Sequence, residues 1–125
     1  MLRMRWLAVL WLALWAAFSI PWTTATSTPQ WERVRPPRVR AASRVRADHV
    51  LNVLFYIPVA PLGSSLGWSL PPLVAAGAML SLTAEALQLF SLDRSPDGND
   101  VIANTAGTTI GAALVLMSRR RRQRP

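Results

Sequence analysis

The sequence contains no cysteine, no lysine and a single histidine, His49, in 125 residues. Without cysteine there is neither a disulfide framework nor a thiolate-held metal. One histidine excludes any multi-histidine zinc site. Acidic residues are scarce as well: six Asp and Glu stand against 14 basic residues, for a net charge of +8. All 14 cations are arginine, which fits a GC-rich coding bias, so no chemistry is drawn from the missing lysine. Apolar residues are what the chain has in excess, at 51% of the total with a mean hydropathy of +0.24. Its length admits one small domain, and its apolar content is too high for an ordinary soluble one. On such a chain the positive charge points to membrane lipids with anionic headgroups as partners, and not to nucleic acid.

Four apolar runs organise the sequence. Met1 to Arg5 is a short basic start, followed by an apolar run from Trp6 to Ile20 that closes at Pro21-Trp22. Trp6 and Trp22 suit an interfacial aromatic belt. The run is short for a span, which takes roughly 20 residues with about 17 as a lower limit. An uncleaved anchor over residues 1–22 is the favoured reading, and a signal peptide is the alternative. Residues 23–47 form an Arg/Pro-rich linker with three Arg-Val-Arg repeats, beginning at Arg33, Arg38 and Arg44. Composition favours a solvated, extended tether there; adhesion of its arginines to anionic lipid is the sharper alternative. Residues 48–118 hold three further runs: Val50 to Trp68, with Pro58 and Pro61 expected to kink it, Leu73 to Phe90, and Val101 to Met117. Residues 119–125 are a basic tail, read as a topology anchor.

Consecutive spans obey parity. The second starts, the third ends and the fourth starts on the same membrane face, and the polar residues sit at those three ends. Glu85 and Gln88 lie inside an apolar run, where a carboxylate is costly and is by default a functional-site hypothesis. Arg94, Asp97 and Asp100 fall in the following loop, and Asn104 opens the last span. At about 1.5 Å rise per residue, Glu85 lies roughly one and a half turns below Phe90, at a depth Asn52 and Asn104 can share. Helical spacing supports this convergence. Ser81, Glu85 and Gln88 form one stripe, Asp48, Asn52 and Tyr56 a second, and Asp100, Asn104, Gly107 or Thr108, and Gly111 a third.

The residue types suggest chemistry. Glu85, Asp97 and Asp100 are candidate acid–base groups, and as hard oxygen ligands they suit Mg²⁺ or Ca²⁺. No cofactor is established by the sequence; a divalent cation is the one that fits. Arg94 suits a phosphate oxygen, with Asn104, Asn52 and Gln88 as supporting ligand-binding groups. Plainer roles stand beside these. An Arg94–Glu85 or Arg94–Asp97 pair would lower the cost of burial. Asp100 could cap the last helix, Asp97-Gly98 is a turn signal, and Gly107-x-x-x-Gly111 suits close helix packing.

These same residues resemble the VanZ-like family of small bacterial integral membrane proteins. The likeness begins at Asp48-His49-Val50-Leu51-Asn52 with its following Ile57-Pro58 and passes through Glu85-Ala86-Leu87-Gln88. It is most specific from Arg94-Ser95-Pro96-Asp97 through Asp100-Val101-Ile102-Ala103-Asn104-Thr105-Ala106-Gly107 to Gly111. Ala60, where glycine often follows Ile-Pro-x, and the Arg-rich linker depart from the pattern. The resemblance implies about four transmembrane helices in the cell envelope, and its founding member is linked to teicoplanin resistance. It supplies no catalytic mechanism, so whether the chain is an enzyme stays open.

The expectation is therefore an all-α, polytopic membrane protein with about four transmembrane helices. It binds or acts on a lipid-linked or cell-wall component, with a lipid-linked phosphate as the expected partner. A non-catalytic scaffold or shielding protein is the alternative. A small transporter is disfavoured, because Leu73 to Leu80 and Ile110 to Met117 carry no charge. Arginines divide seven against seven between the two faces, so the positive-inside rule leaves orientation even. The compact tail beside the last span, together with the resemblance, places both termini inside and the polar cluster on the outer face.

Overall fold

The computed structural model describes residues 2–22, 24–37 and 47–123. Five helices account for most of them: α1 (Leu2–Ser19), α2 (Ala47–Tyr56), α3 (Val59–Ser65), α4 (Leu70–Gln88) and α5 (Gly98–Arg122). Among the described residues there are no strands, only two isolated bridges. The all-α expectation holds. Three helices, α1, α4 and α5, are long and apolar enough to cross a membrane by length and composition.

The second apolar run departs from a single kinked span. Two short helices, α2 and α3, meet at Ile57-Pro58. Pro58 and Pro61 have no N–H to offer Leu54 and Ile57, four residues before them, so the regular ladder fails twice within one turn. α3 is closed by Gly67, two residues past its end, whose φ of +95° is left-handed. Trp68 N–H donates to Gly63 O at 3.1 Å and Gly67 N–H to Ser64 O at 3.2 Å, the paired closure of a glycine C-terminal cap. Pro71 and Pro72 sit in the first turn of α4, where a missing N–H costs nothing.

Burial is inverted relative to a water-soluble protein. Buried side chains include Ser81, Glu85, Gln88, Ser91, Asn104 and Thr108, whereas Leu7, Leu10, Phe18, Met79, Ile102 and Leu114 are exposed. A surface this apolar over a small, polar interior suits lipid as the solvent, where helices associate through close packing and hydrogen bonds.

α5 is the central element, packed on α2, α3 and α4, while α1 lies against α3 and α4. Glycine makes these approaches feasible. A Cβ at Gly107 would stand 2.2 Å from Val53 O, one at Gly111 2.1 Å from Ile57 O, and one at Gly77 2.2 Å from Thr108 Oγ1. Ile57 O is the carbonyl that Pro61 leaves unpaired, so the broken helix and the Gly-x-x-x-Gly face fit one another. α1 is attached differently: Trp11 Nε1 donates to Phe55 O at 2.8 Å and Trp15 Nε1 to Tyr56 Oη at 2.9 Å. Trp11 also stacks on Phe55 at 5.4 Å between ring centroids.

Candidate functional site

The end of α4, the start of α5 and the loop joining them are shaped by hydrogen bonds that the sequence sets up locally. Asp97 is the N-cap of α5, its side chain accepting from Asn99 N–H at 2.9 Å. The cap is thus Asp97 and not Asp100, and α5 begins three residues before the expected Val101. Glu85, buried on α4, accepts from Asp97 N–H through Oε2 at 2.6 Å, which ties the deep carboxylate to the loop. One turn further in, Asn104 Nδ2 donates to Ser81 Oγ at 2.8 Å, joining α5 to α4. On the other side of the interior, Tyr56 Oη on α2 receives Trp15 Nε1 from α1. Polar contacts thus join α4 to α5 and α1 to α2. Asn104 Oδ1 is buried with no partner.

Over this end lies a segment that composition read as a free tether. Residues 24–37 instead form a strap along the α4–α5 loop. Leu92 N–H donates to Thr24 O at 2.9 Å, Thr26 N–H to Phe90 O at 2.9 Å and Gln30 N–H to Leu89 O at 2.7 Å. Further on, Arg35 N–H donates to Pro96 O at 2.8 Å and receives Gly98 N–H on its own carbonyl at 2.9 Å. Arg33 Nη1 donates to Leu92 O at 2.7 Å and Ser91 O at 3.2 Å. The cause is backbone satisfaction: the loop exposes carbonyls and amides without helical partners, and the strap supplies them. The repeats at Arg38 and Arg44 lie outside the described residues.

Asp93 anchors the same contact. Ser91 Oγ donates to its carboxylate at 2.6 Å and Thr24 Oγ1 at 2.7 Å. These hydrogen bonds, Ser91's first, hold the Asp93 carboxyl below the usual carboxylate range.

Between strap, loop and the starts of α2 and α5 opens a polar cleft of about 430 Å³. Asn52, Gln88, Arg94, Asp97 and Asp100 border it, together with Arg35, Asp48, His49 and Asp93. Of the seven candidate residues, five therefore share one cavity. Glu85 and Asn104 are buried and engaged with Asp97 N–H and Ser81. Asp100 faces His49 Nε2 at 3.7 Å, and Asn52 borders the same cleft.

Two expectations change. Arg94 pairs with neither Glu85 nor Asp97: among the described residues no carboxylate lies within 4 Å of it. Its Nη1 donates to Phe18 O near the end of α1, an orphan carbonyl of the last helical turn. Nor do Glu85, Asp97 and Asp100 gather around a common point. Among the described residues no three of His, Asp or Glu are placed to hold a metal ion, because each carboxylate turns to a different partner.

Arg35, His49 and Asp93 are among the cleft residues that sequence reasoning missed. His49 was legible, since it lies three residues before Asn52 and so shares a helical side with it. Arg35 had no periodic signal; its place depends on the strap.

A family model described as VanZ/LLP1 matches residues 5–119. No curated protein and no solved structure matches the chain. The matched region takes in α1 and the Arg-rich segment as well as the stretch from Asp48 to Gly111, so these parts lie inside the family pattern. From α1 through the cleft to most of α5, this chain belongs to the VanZ/LLP1 family.

Proposed function

We propose that this chain is a multi-pass protein of the bacterial cell envelope. Its polar cleft opens at the outer membrane face and binds the phosphate-bearing headgroup of a lipid-linked or cell-wall component. The VanZ-type family and three apolar helices support the membrane setting. The observation that carries the rest is the meeting of Arg94, Asn52, Gln88, Asp97 and Asp100 in one cleft at the helix ends. Arg94 supplies the phosphate contact: one of its five N–H donors is taken by Phe18 O, and the others remain for a ligand. Binding, without a chemical step, is the role these contacts favour, since Glu85 and Asp97 spend carboxylate oxygens on backbone amides. Through such binding the protein would lower susceptibility to glycopeptides of the teicoplanin type.

The test is glycopeptide susceptibility of cells carrying the wild type, Arg94→Gln or Asp100→Asn, at matched membrane levels. Loss of protection in Arg94→Gln at undiminished abundance supports the reading. Full protection by both variants contradicts it and leaves a scaffold whose polar end only locks the fold. The hydrogen bonds from Asp97 N–H to Glu85 and from Asn104 to Ser81 favour that second reading.

A further inference from the structure

Resting on the reading of the cleft as a phosphate site, we infer that the strap is part of the binding site. Arg35 is its second guanidinium, and the pair selects a phosphate monoester over a diester.

The carboxylates that border the cleft already have partners. Asp97 caps Asn99 N–H, Asp93 receives Ser91 and Thr24, Asp100 faces His49, and Asp48 is engaged as well. Arg35 is in the opposite condition. Its backbone is fixed on both sides, by Pro96 O and by Gly98 N–H, yet among the described residues no carboxylate lies within 4 Å of its guanidinium. The residue is exposed and borders the cleft together with Arg94. An arginine held by its main chain, with no carboxylate on its head and bordering a cleft that a second arginine also borders, is pre-organised for an anion.

The docking that places it is built into the sequence. Pro37, two residues on, lies so close to the start of α5 that a Cβ at Gly98 would stand 2.5 Å from Pro37 Cδ. Only glycine at 98 lets the strap lie at this depth. Asp97-Gly98 therefore does more than turn the chain, since it seats the strap that presents Arg35.

Two guanidiniums define the ligand. A diester phosphate has two free oxygens and a single charge, which one bidentate arginine satisfies. A terminal monoester has three free oxygens and a charge of about −1.5 to −2 at neutral pH, so it has use for both. Its source is either the headgroup of a lipid phosphate monoester or free phosphate.

The experiment uses the full chain in nanodiscs, with vesicles as the probe. Vesicles containing phosphatidic acid present a monoester, those containing phosphatidylglycerol a diester, and inorganic phosphate is added as competitor. The wild type is expected to favour phosphatidic acid. Arg35→Gln is expected to weaken that binding about 10- to 100-fold, the range for a lost charge-assisted contact, and to level the two lipids at an unchanged melting temperature. Gly98→Ala, which keeps Arg35 but lifts the strap, is expected to weaken the binding and level the two lipids as well. Competition by millimolar phosphate assigns the site to free phosphate, and its failure to compete assigns it to the lipid. Arg94→Gln weakening binding while Arg35→Gln leaves affinity and preference intact would overturn the inference and spare the phosphate site. Absence of binding by the wild type to any of the three probes would overturn both.

Discussion

α5 and α1 are both long apolar helices, yet they are held in place by opposite means. α5 meets its neighbours backbone to backbone, with Gly107 against Val53 O and Gly111 against Ile57 O. α1 buries only Trp11 and Ser19 and hangs on two indole hydrogen bonds and the one that Arg94 gives Phe18 O. Beside it, an apolar crevice of about 190 Å³ opens towards α3 and α4. The difference shows where the fold tolerates change. A backbone oxygen cannot rotate out of the way, so α5 has one seat; α1 depends on a few donors and can lose one without losing its place.

The largest effect is therefore expected at the glycines. Gly111→Val or Gly107→Val puts side-chain atoms onto a carbonyl and should cost on the order of 3 kcal/mol, read as loss of the folded band and a collapsed melting transition in detergent. A stable Gly111→Val protein would break the contrast. Next comes the anchor between α4 and the loop. Glu85→Leu leaves Asp97 N–H without its acceptor, costing about 1–3 kcal/mol, whereas Glu85→Gln keeps an amide oxygen there and should recover most of the loss. Equal melting temperatures for the two variants would show that the hydrogen bond contributes nothing. On the α1 side, Trp15→Phe removes one donor to Tyr56 at about 1 kcal/mol, a small shift in the same melting assay.

The smallest effect concerns acid. Asp93 has its pKa lowered by the hydrogen bonds from Ser91 and Thr24. Its contribution is thus present above the unfolded carboxyl pKa and is lost as pH falls through the folded one. On acidification the strap should loosen before the helices do, seen as falling exchange protection of the Leu92 amide, which donates to Thr24 O. In Asp93→Asn that acid step should disappear.

Much of the α2–α5 unit was legible in the sequence because its signals are local. Ser81, Glu85 and Gln88 are spaced for one helix face, and all three are buried on α4. Asn104, Gly107, Thr108 and Gly111 line the packed face of α5 in the same way. Asn52 and Asp97 do border one cleft, although the second run is two short helices and not the single span that loop parity assumed. Other features escaped because their causes are distant in sequence. Arg94 looked destined for a carboxylate, but the end of α1 offers an unpaired carbonyl 76 residues away. The segment carrying Arg33 and Arg35 has the composition of a tether. Its order comes from the unpaired amides and carbonyls of the loop, which no periodicity records.

On the proposed reading, the strap, α2 and the α4–α5 loop meet at one membrane surface. The chain has no cysteine of its own, so Arg35→Cys, Asn52→Cys and Asp97→Cys each give a single reporter for a membrane-impermeant maleimide applied to intact cells. Labelling is expected at all three positions from outside, with no further gain on permeabilisation. Labelling of one position from outside and another only after permeabilisation would contradict that reading.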